Sequence, residues 1–397
     1  MRILMLNNEF PPLGGGTGTV NQAILARFAQ MSGFEIDLVT SALKRSYEEE
    51  SFAEKIRIYK VPVRNRNIHH SSNRELAEYF FRGWRRASGL HKQEKYDFCF
   101  AWSAVPAGAI ALALRRMMGL RYMLRVCGPD IPGFETRYRS IHFFLAPLIR
   151  RIWRAADSVV AKSAREIEMI QAVDPVVDCL LIPNGVDASR FKPIHPAPDD
   201  GPLKLLCVGR LIERKGQRHL IEVIKRLSDA ALDVELDLVG EGDARPAIEA
   251  QVARLGLGDR VCFSGYVPRE KIAEHYAAAH VFVLPSYNEG MSVALLEAMA
   301  AGLAVVVTPT GGTSELIEPE INGLVFDWGD VETLASHLRR LAQDRSVVRR
   351  MGQASRQRAS EFSWDRAALR YVEIFRSLTA VPVLSQSSLS AQLKHKI

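Results

Sequence analysis

Short apolar runs recur along the chain, each followed by a polar or glycine-rich turn and then a stretch with helical spacing. In the first half they are Arg2–Leu6, Glu35–Thr40, Arg57–Val61, Tyr96–Ala101, Tyr122–Val126 and Ser158–Ala161. This alternation predicts a doubly wound parallel sheet with helices between its strands. Leu180–Asp187 ends a further strand in a turn, and Phe191–Pro202, with four prolines and two aspartates, reads as a surface linker. A second cycle then opens with Leu203–Gly209 and continues through Val234–Gly242, Val261–Gly265, Val281–Leu284 and Ala304–Thr308. The expected fold class is therefore α/β, with two Rossmann-like domains over residues 1–188 and 200–361 facing across a cleft. At 397 residues, two cores are the natural outcome.

Composition narrows the class. A hydrophobic share of 47% and a charged share of 24% are those of a soluble globular protein. The five cysteines are scattered, without a C-x-x-C pair, which excludes a disulfide scaffold or a zinc cluster. The longest apolar runs fall short of a membrane span and no signal segment is evident, so a cytoplasmic protein is expected. Charge is uneven: residues 1–190 hold 27 Lys and Arg against 19 Asp and Glu, leaving 25 against 26 for the rest. The first half is thus expected to meet something anionic. Two basic-aromatic segments carry much of that charge, Tyr79–Arg86 and Arg137–Arg154. The second fits a helix packing its apolar stripe on the sheet with its cations in water, and also a helix lying in a membrane interface. Nucleic acid is disfavoured because no reader motif accompanies the charge.

Candidate chemistry centres on Pro285-Ser-Tyr-Asn-Glu-Gly-Met-Ser-Val-Ala-Leu-Leu-Glu297, which follows the run Val281–Leu284. A helix starting near Ser292 leaves Glu289 in the loop at its mouth and puts Glu297 in its second turn. The N–H groups of Gly290, Met291 and Ser292 then point out of the helix start, where they favour a phosphate. One carboxylate meets hydroxyls ahead of that anion and the other meets hydroxyls behind it, as in a sugar–diphosphate–nucleoside. Taken alone, the stretch is equally a solvated helix start with surface acids. Arg210 and Lys215 leave the strand Leu203–Gly209 on one loop, where two cations neutralise a diphosphate. The turn containing Gly14, Gly15 and Gly16 allows close backbone approach to a ligand, although a plain turn explains it too. Asp130, past the strand Tyr122–Val126, stands where a catalytic carboxylate would, or else bonds its own turn.

In combination these motifs resemble the retaining glycosyltransferases of family 4, with the GT-B fold. Ile182-Pro-Asn-Gly-Val-Asp187, Val208-Gly-Arg-Leu211, Leu238-Val-Gly-Glu-Gly242, Asn288–Gly302 and Gly311-Gly-Thr-Ser-Glu-Leu-Ile317 carry the resemblance, which covers nearly the whole chain. It implies a nucleotide-sugar donor, UDP- or GDP-linked, and no cofactor or metal. Arg210 and Lys215 would bind the diphosphate, Glu297 the ribose and Glu289 the donor sugar. Gly290, Met291 and Ser292 would surround the phosphates, and Gly15 and Gly16 would close over the donor. Glu289, Asp130, Arg210 and Lys215 are the residues expected to act in transfer. The basic charge of the first domain, in turn, points to a glycan or lipid-linked acceptor in bacterial envelope or exported polysaccharide synthesis, lipopolysaccharide included, and to peripheral contact at the inner face of the cytoplasmic membrane. A last helix over about 362–379 would cross back to that domain, leaving a loose tail at 380–397. Many relatives carry a histidine that contacts the donor sugar where this chain has Cys127, which leaves Asp130, in the Gly128–Gly133 loop, as the local candidate to orient either donor sugar or acceptor hydroxyl. A nucleotide-sugar epimerase or a phosphorylase of the same fold, and a non-catalytic nucleotide-sugar-binding partner, are the alternatives. The missing G-x-G-x-x-G excludes a dinucleotide-dependent oxidoreductase.

Overall fold

The structure, a computed structural model, describes residues 1–65, 71–135, 138–192 and 200–380. Arg137, most of the expected linker and the expected tail from residue 381 lie outside the described residues. The chain divides into two units: Met1–Pro183 together with the closing helix, and Asn184–Ser363.

In the first unit, strands β1 (Arg2–Leu6), β2 (Glu35–Ala42), β3 (Glu48–Ala53), β4 (Ile56–Pro62), β5 (Phe98–Trp102), β6 (Tyr122–Arg125), β7 (Ser158–Ala161) and β8 (Cys179–Leu181) form one sheet. Their order is β3-β4-β2-β1-β5-β6-β7-β8, and every pair is parallel except β3 on β4. Helices α1 (Gly16–Phe28), α2 (Asn73–Glu94), α3 (Ala109–Met118), α4 (Arg139–Ala155) and α5 (Ala164–Val173) connect the strands. Helices on both faces explain why β5, β6 and β7 are buried at every residue and read as unbroken apolar runs. The strand β3 has no such run. It is a charged edge, held by backbone pairing and by Glu50 to Lys60 at 2.7 Å, which protects the sheet from further pairing.

The second unit has strands β9 (Leu203–Val208), β10 (Val234–Val239), β11 (Val261–Gly265), β12 (Val281–Leu284), β13 (Ala304–Val307) and β14 (Gly323–Val325), in the order β11-β10-β9-β12-β13-β14, all parallel. Its helices are α6 (Gln217–Asp229), α7 (Arg245–Arg254), α8 (Ile272–Ala278), α9 (Val293–Ala300), α10 (Thr313–Leu316), α11 (Val331–Gln343) and α12 (Arg345–Ala359). The spacing of Leu220, Ile221, Val223, Ile224 and Leu227 along α6 gives one buried face. The sequence places the end of the first domain at 188, but Asn184–Asp187 already belongs to the second unit. Asn184 donates to the Met291 carbonyl at 3.0 Å, and Val186 N–H donates to Phe362 at 2.8 Å.

The closing helix, α13 (Trp364–Ala380), packs in the first unit beside α1. Phe375 is fully buried among the rings of Phe28, Phe34, Phe98 and Phe100, with centroids 5.1–6.3 Å away. One turn earlier, Tyr371 accepts a hydrogen bond from buried Arg125 Nε at 2.9 Å, while that guanidinium lies over the Trp102 ring. Removing the Phe375 ring leaves a cavity that four rigid aromatic neighbours cannot close. Phe375→Ala is expected to lose about 3–5 kcal/mol in urea unfolding, against about 0.5 kcal/mol or less for an exposed control such as Leu369→Ala.

Candidate functional site

The second sheet has the order in which a mononucleotide-binding half meets its mirror, and the crevice of such a sheet opens where the order reverses. Here that point lies between β9 and β12, because β10 and β11 extend one way and β13 and β14 the other. The loops leaving β9 and β12 are Gly209–Gly216 and Pro285–Ser292, which carry most of the motif residues.

Backbone contact fixes these loops against one another. Gly216, at φ +69°, lies so close to β12 that a Cβ on it would overlap the Pro285 carbonyl oxygen. Tyr287 N–H donates to the Arg214 carbonyl at 2.7 Å, and the Arg214 guanidinium returns a bond to the Asn288 carbonyl at 3.1 Å. The loop after β13 braces the other side. Gly311 N–H donates to the Glu289 carbonyl at 3.0 Å, and a Cβ on Gly311 would overlap that oxygen. The motif Gly311-Gly-Thr-Ser-Glu315 therefore owes its first glycine to the shape of the Glu289–Met291 loop. Asn184, from the Pro-Asn-Gly-Val motif, anchors Met291 from beneath.

Between these loops Lys215 Nζ and Glu289 form an ion pair, each side chain 13% exposed. Burial pushes the Glu289 carboxyl up, but Lys215, and beyond it Arg214, outweigh this and hold it below the ordinary range. Lys215 Nζ also lies over Gly209, the residue before Arg210. The Arg210 carbonyl accepts from Gln217 Nε2 at 3.0 Å, which ties its loop to the first turn of α6.

Helix α9 begins as the sequence predicts, with Ser292 as its cap, accepting from Leu295 N–H at 3.3 Å. Among the described residues the N–H groups of Gly290, Met291 and Ser292 donate to no acceptor, so the helix start presents three donors with the favourable end of its dipole. Glu297, in the second turn, accepts from Tyr276 Oη at 2.9 Å. Burial raises its carboxyl to about 6, against the opposing pull of that hydroxyl, Arg269 and Arg190. The two glutamates thus differ in kind. Glu289 is an ionised group paired with a lysine, and Glu297 is a weak acid in a desolvated recess.

Three neighbours of this site carry no signal in the sequence. Tyr287, Trp328 and His219 come from three separate segments and stack edge to face, with centroids 5.0 and 5.1 Å apart. Only the fold brings them together.

In the first unit the sheet order reverses between β1 and β5. After β1, helix α1 begins at Gly16, earlier than the sequence suggests, with Gly15 at the cap position. Gly15 N–H donates to Glu9 at 3.3 Å, and the space a Cβ would take on Gly15 or Gly16 is open. Asp130 is buried, and both its oxygens receive backbone donors: Ala104 N–H at 2.6 Å and Cys127 N–H at 2.8 Å. Burial raises its carboxyl in spite of these bonds. Asp130 therefore pins the loop after β6 to the turn after β5, which is a positioning arrangement. Burial, followed by the nearby Asp130, pushes the Cys127 thiol up to about 12, so it is not a thiolate at neutral pH.

Comparison with known proteins bears on both halves. The model of Glycosyltransferase Family 4 matches residues 14–190, and that of Glycosyl transferases group 1 matches residues 189–358. The GDP-mannose-dependent alpha-(1-6)-phosphatidylinositol monomannoside mannosyltransferase of Mycolicibacterium smegmatis is 26% identical over 94% of this chain and 97% of its own. The 2-deoxystreptamine glucosyltransferase of Streptomyces kanamyceticus is 32% identical over 67% of this chain and 72% of its own. Among solved structures, sucrose-phosphate synthase from Thermosynechococcus elongatus superposes with a TM-score of 0.82 over 96% of this chain and 99% of its own, at 24% identity. Anabaena HepE in complex with UDP-glucose gives 0.73 over 95% and 100%, at 19% identity. These structural likenesses are of fold, and the fold is GT-B. With each half matched by its own model and relatives aligned along almost the full length, the chain belongs to glycosyltransferase family 4.

Proposed function

We propose that this glycosyltransferase moves a hexosyl group from a UDP- or GDP-linked donor to a glycan or lipid-linked acceptor, with retention at the anomeric carbon and without a metal ion. The observation that carries the reading is the Lys215–Glu289 pair set beside three unpartnered N–H groups at the start of α9. A diphosphate has the charge for Lys215 and the oxygens for those donors, while the glutamate beside it suits sugar hydroxyls. Arg210 would share the diphosphate, Glu297 would accept from ribose hydroxyls, and Gly15 and Gly16 of the first unit would close on the donor.

In the reaction the bond from the anomeric carbon to the β-phosphate oxygen breaks, and a bond to the acceptor oxygen forms on the same face. The acceptor proton passes to the departing phosphate oxygen, so neither Glu289 nor Asp130 is needed as a base. Lys215, Arg210 and the α9 donors stabilise the charge that develops on the diphosphate. A setting in bacterial envelope or exported-glycan synthesis, on the cytoplasmic side of the membrane, is motivated by a relative that acts on phosphatidylinositol monomannoside and by a fold neighbour that is a lipopolysaccharide outer core galactosyltransferase.

Three outcomes test this. In a thermal-shift screen of UDP-, GDP- and ADP-sugars, at least one donor at about 100 times its Kd should add about 2.7 kcal/mol of stability; no shift with any of them overturns the donor site. Lys215→Ala should lower kcat/KM on the order of 10²–10³-fold with that donor, and a wild-type rate would remove Lys215 from the mechanism. Epimerised donor formed without acceptor would instead identify an epimerase, and donor binding without transfer to any acceptor a binding partner. The third concerns pH. Because the fold raises Glu297 from 4.5 to about 6, it favours the acid form; that contribution is complete below about pH 4.5 and is lost as pH rises through 6. Glu297→Gln should therefore gain about 2 kcal/mol relative to wild type between pH 4.5 and 7 in urea unfolding, while donor-induced stabilisation falls.

A further inference from the structure

Helices α2, α3 and α4 form a contiguous layer on one face of the first unit's sheet. The inward side of α4 is fully accounted for: His142, Ile149, Ile152 and Trp153 are buried and Leu145 packs against the core. Its outward side is not. Phe143 and Phe144 are 77% and 78% exposed, edge to face with each other, and Leu148 continues the stripe one turn on. Met117 of α3 and Phe81 of α2 are also exposed. A helix that merely packs its apolar stripe on a sheet and turns its cations to water would have no reason to present these rings.

The same layer is strongly cationic. Helices α3 and α4 carry six arginines, Arg115, Arg116, Arg139, Arg150, Arg151 and Arg154, and no aspartate or glutamate. Arg115 pairs with Asp157 at 2.6 Å, Arg154 grips Asp174 with two bonds, and Arg150 donates to the Val173 carbonyl. Arg116, Arg139 and Arg151 have no acidic partner among the described residues. Between the two helices lies a recess of ≈ 660 Å³ lined by Arg115, Arg116, Arg150, Arg151, Arg154 and Pro147. From Phe143 and Phe144 to Arg150 and Arg151 is about 10 Å along the helix axis, and positions 143, 147, 150, 151 and 154 repeat at helical spacing on the outward side.

We propose that the outward face of α3 and α4 is a docking surface for an anionic phospholipid bilayer. The helix α4 lies flat in the interface, with Phe143, Phe144 and Leu148 at the acyl boundary and the arginine-lined recess holding lipid phosphates. Charge complementarity with a polyanion accounts for the unpaired arginines. The exposed aliphatic side chains, Leu148 one turn from the rings on α4 and Met117 on α3, select a lipid surface over a nucleic acid, which would use rings for stacking and leave the aliphatic residues idle. Among the described residues no helix is long and apolar enough to cross a membrane, so this docking is peripheral. It does not depend on the transfer reaction.

The test is flotation of the full-length protein with phosphatidylcholine vesicles containing about 30% phosphatidylglycerol, against phosphatidylcholine alone. Wild type should float with the anionic vesicles, less so at high salt, and not with the neutral ones. Phe143→Ser/Phe144→Ser should weaken binding on the order of tenfold or more at unchanged charge. Arg116→Gln/Arg151→Gln should weaken it on the order of fivefold per arginine. All four positions are exposed, so both variants should keep the wild-type unfolding midpoint. Absence of wild-type binding, equal binding by the phenylalanine variant, displacement from vesicles by single-stranded RNA through the same arginines, or a dimer that the phenylalanine variant dissociates without any vesicle binding would each overturn the proposal.

Discussion

The second unit depends on backbones approaching more closely than side chains allow. At the carboxyl ends of β9, β12 and β13, Gly216 lies against the Pro285 carbonyl and Gly311 against the Glu289 carbonyl. These contacts hold Lys215 beside Glu289 and set the start of α9 within the same crevice. A methyl group at either glycine would have to separate the loops, and the first loss would be the ion pair. The glycines of the motifs are therefore spacers for chemistry carried by neighbouring residues.

Electrostatics then differentiates what the packing assembles. Two glutamates on one short stretch acquire opposite properties because a lysine outweighs burial at Glu289, whereas burial prevails at Glu297 over the opposing pull of a tyrosine hydroxyl. An ionised, lysine-paired carboxylate suits hydroxyl recognition beside a charged leaving group, and the raised acid costs stability at neutral pH that a functional role would explain. The first unit follows the opposite economy. Asp130 spends both oxygens on backbone donors and Cys127 is held as a thiol, whereas Gly15 and Gly16 keep open space. That side of the chain shapes loops and leaves its polar groups engaged.

The first unit also shows one helix carrying two stripes of different composition. The inner stripe of α4 completes the core beneath the sheet, and its outer stripe combines aromatic rings with unpaired arginines. Inner and outer residues interleave in the sequence at intervals of one to four, so Arg137–Arg154 as a string admits both an interfacial helix and a helix packed on the sheet. The exposure of Phe143 and Phe144 is decided by the fold, because burial is a property of what packs alongside.

By itself the sequence determined the two Rossmann-like cycles, since parallel strands covered on both faces must be apolar throughout and their glycine turns stand out between them. It also determined the helix start near Ser292 and the loop position of Glu289, which follow from local propensity. It did not reveal β3 or β14, where short or charged strands are held by backbone pairing and not by hydrophobic pattern. Nor did it reveal the Lys215–Glu289 pair, which joins residues 74 positions apart, the Tyr287–Trp328–His219 cluster, or the engagement of Asp130 with Ala104. Those are decided by which strand ends the sheet order places side by side, and sheet order is a long-range outcome that no local stretch encodes.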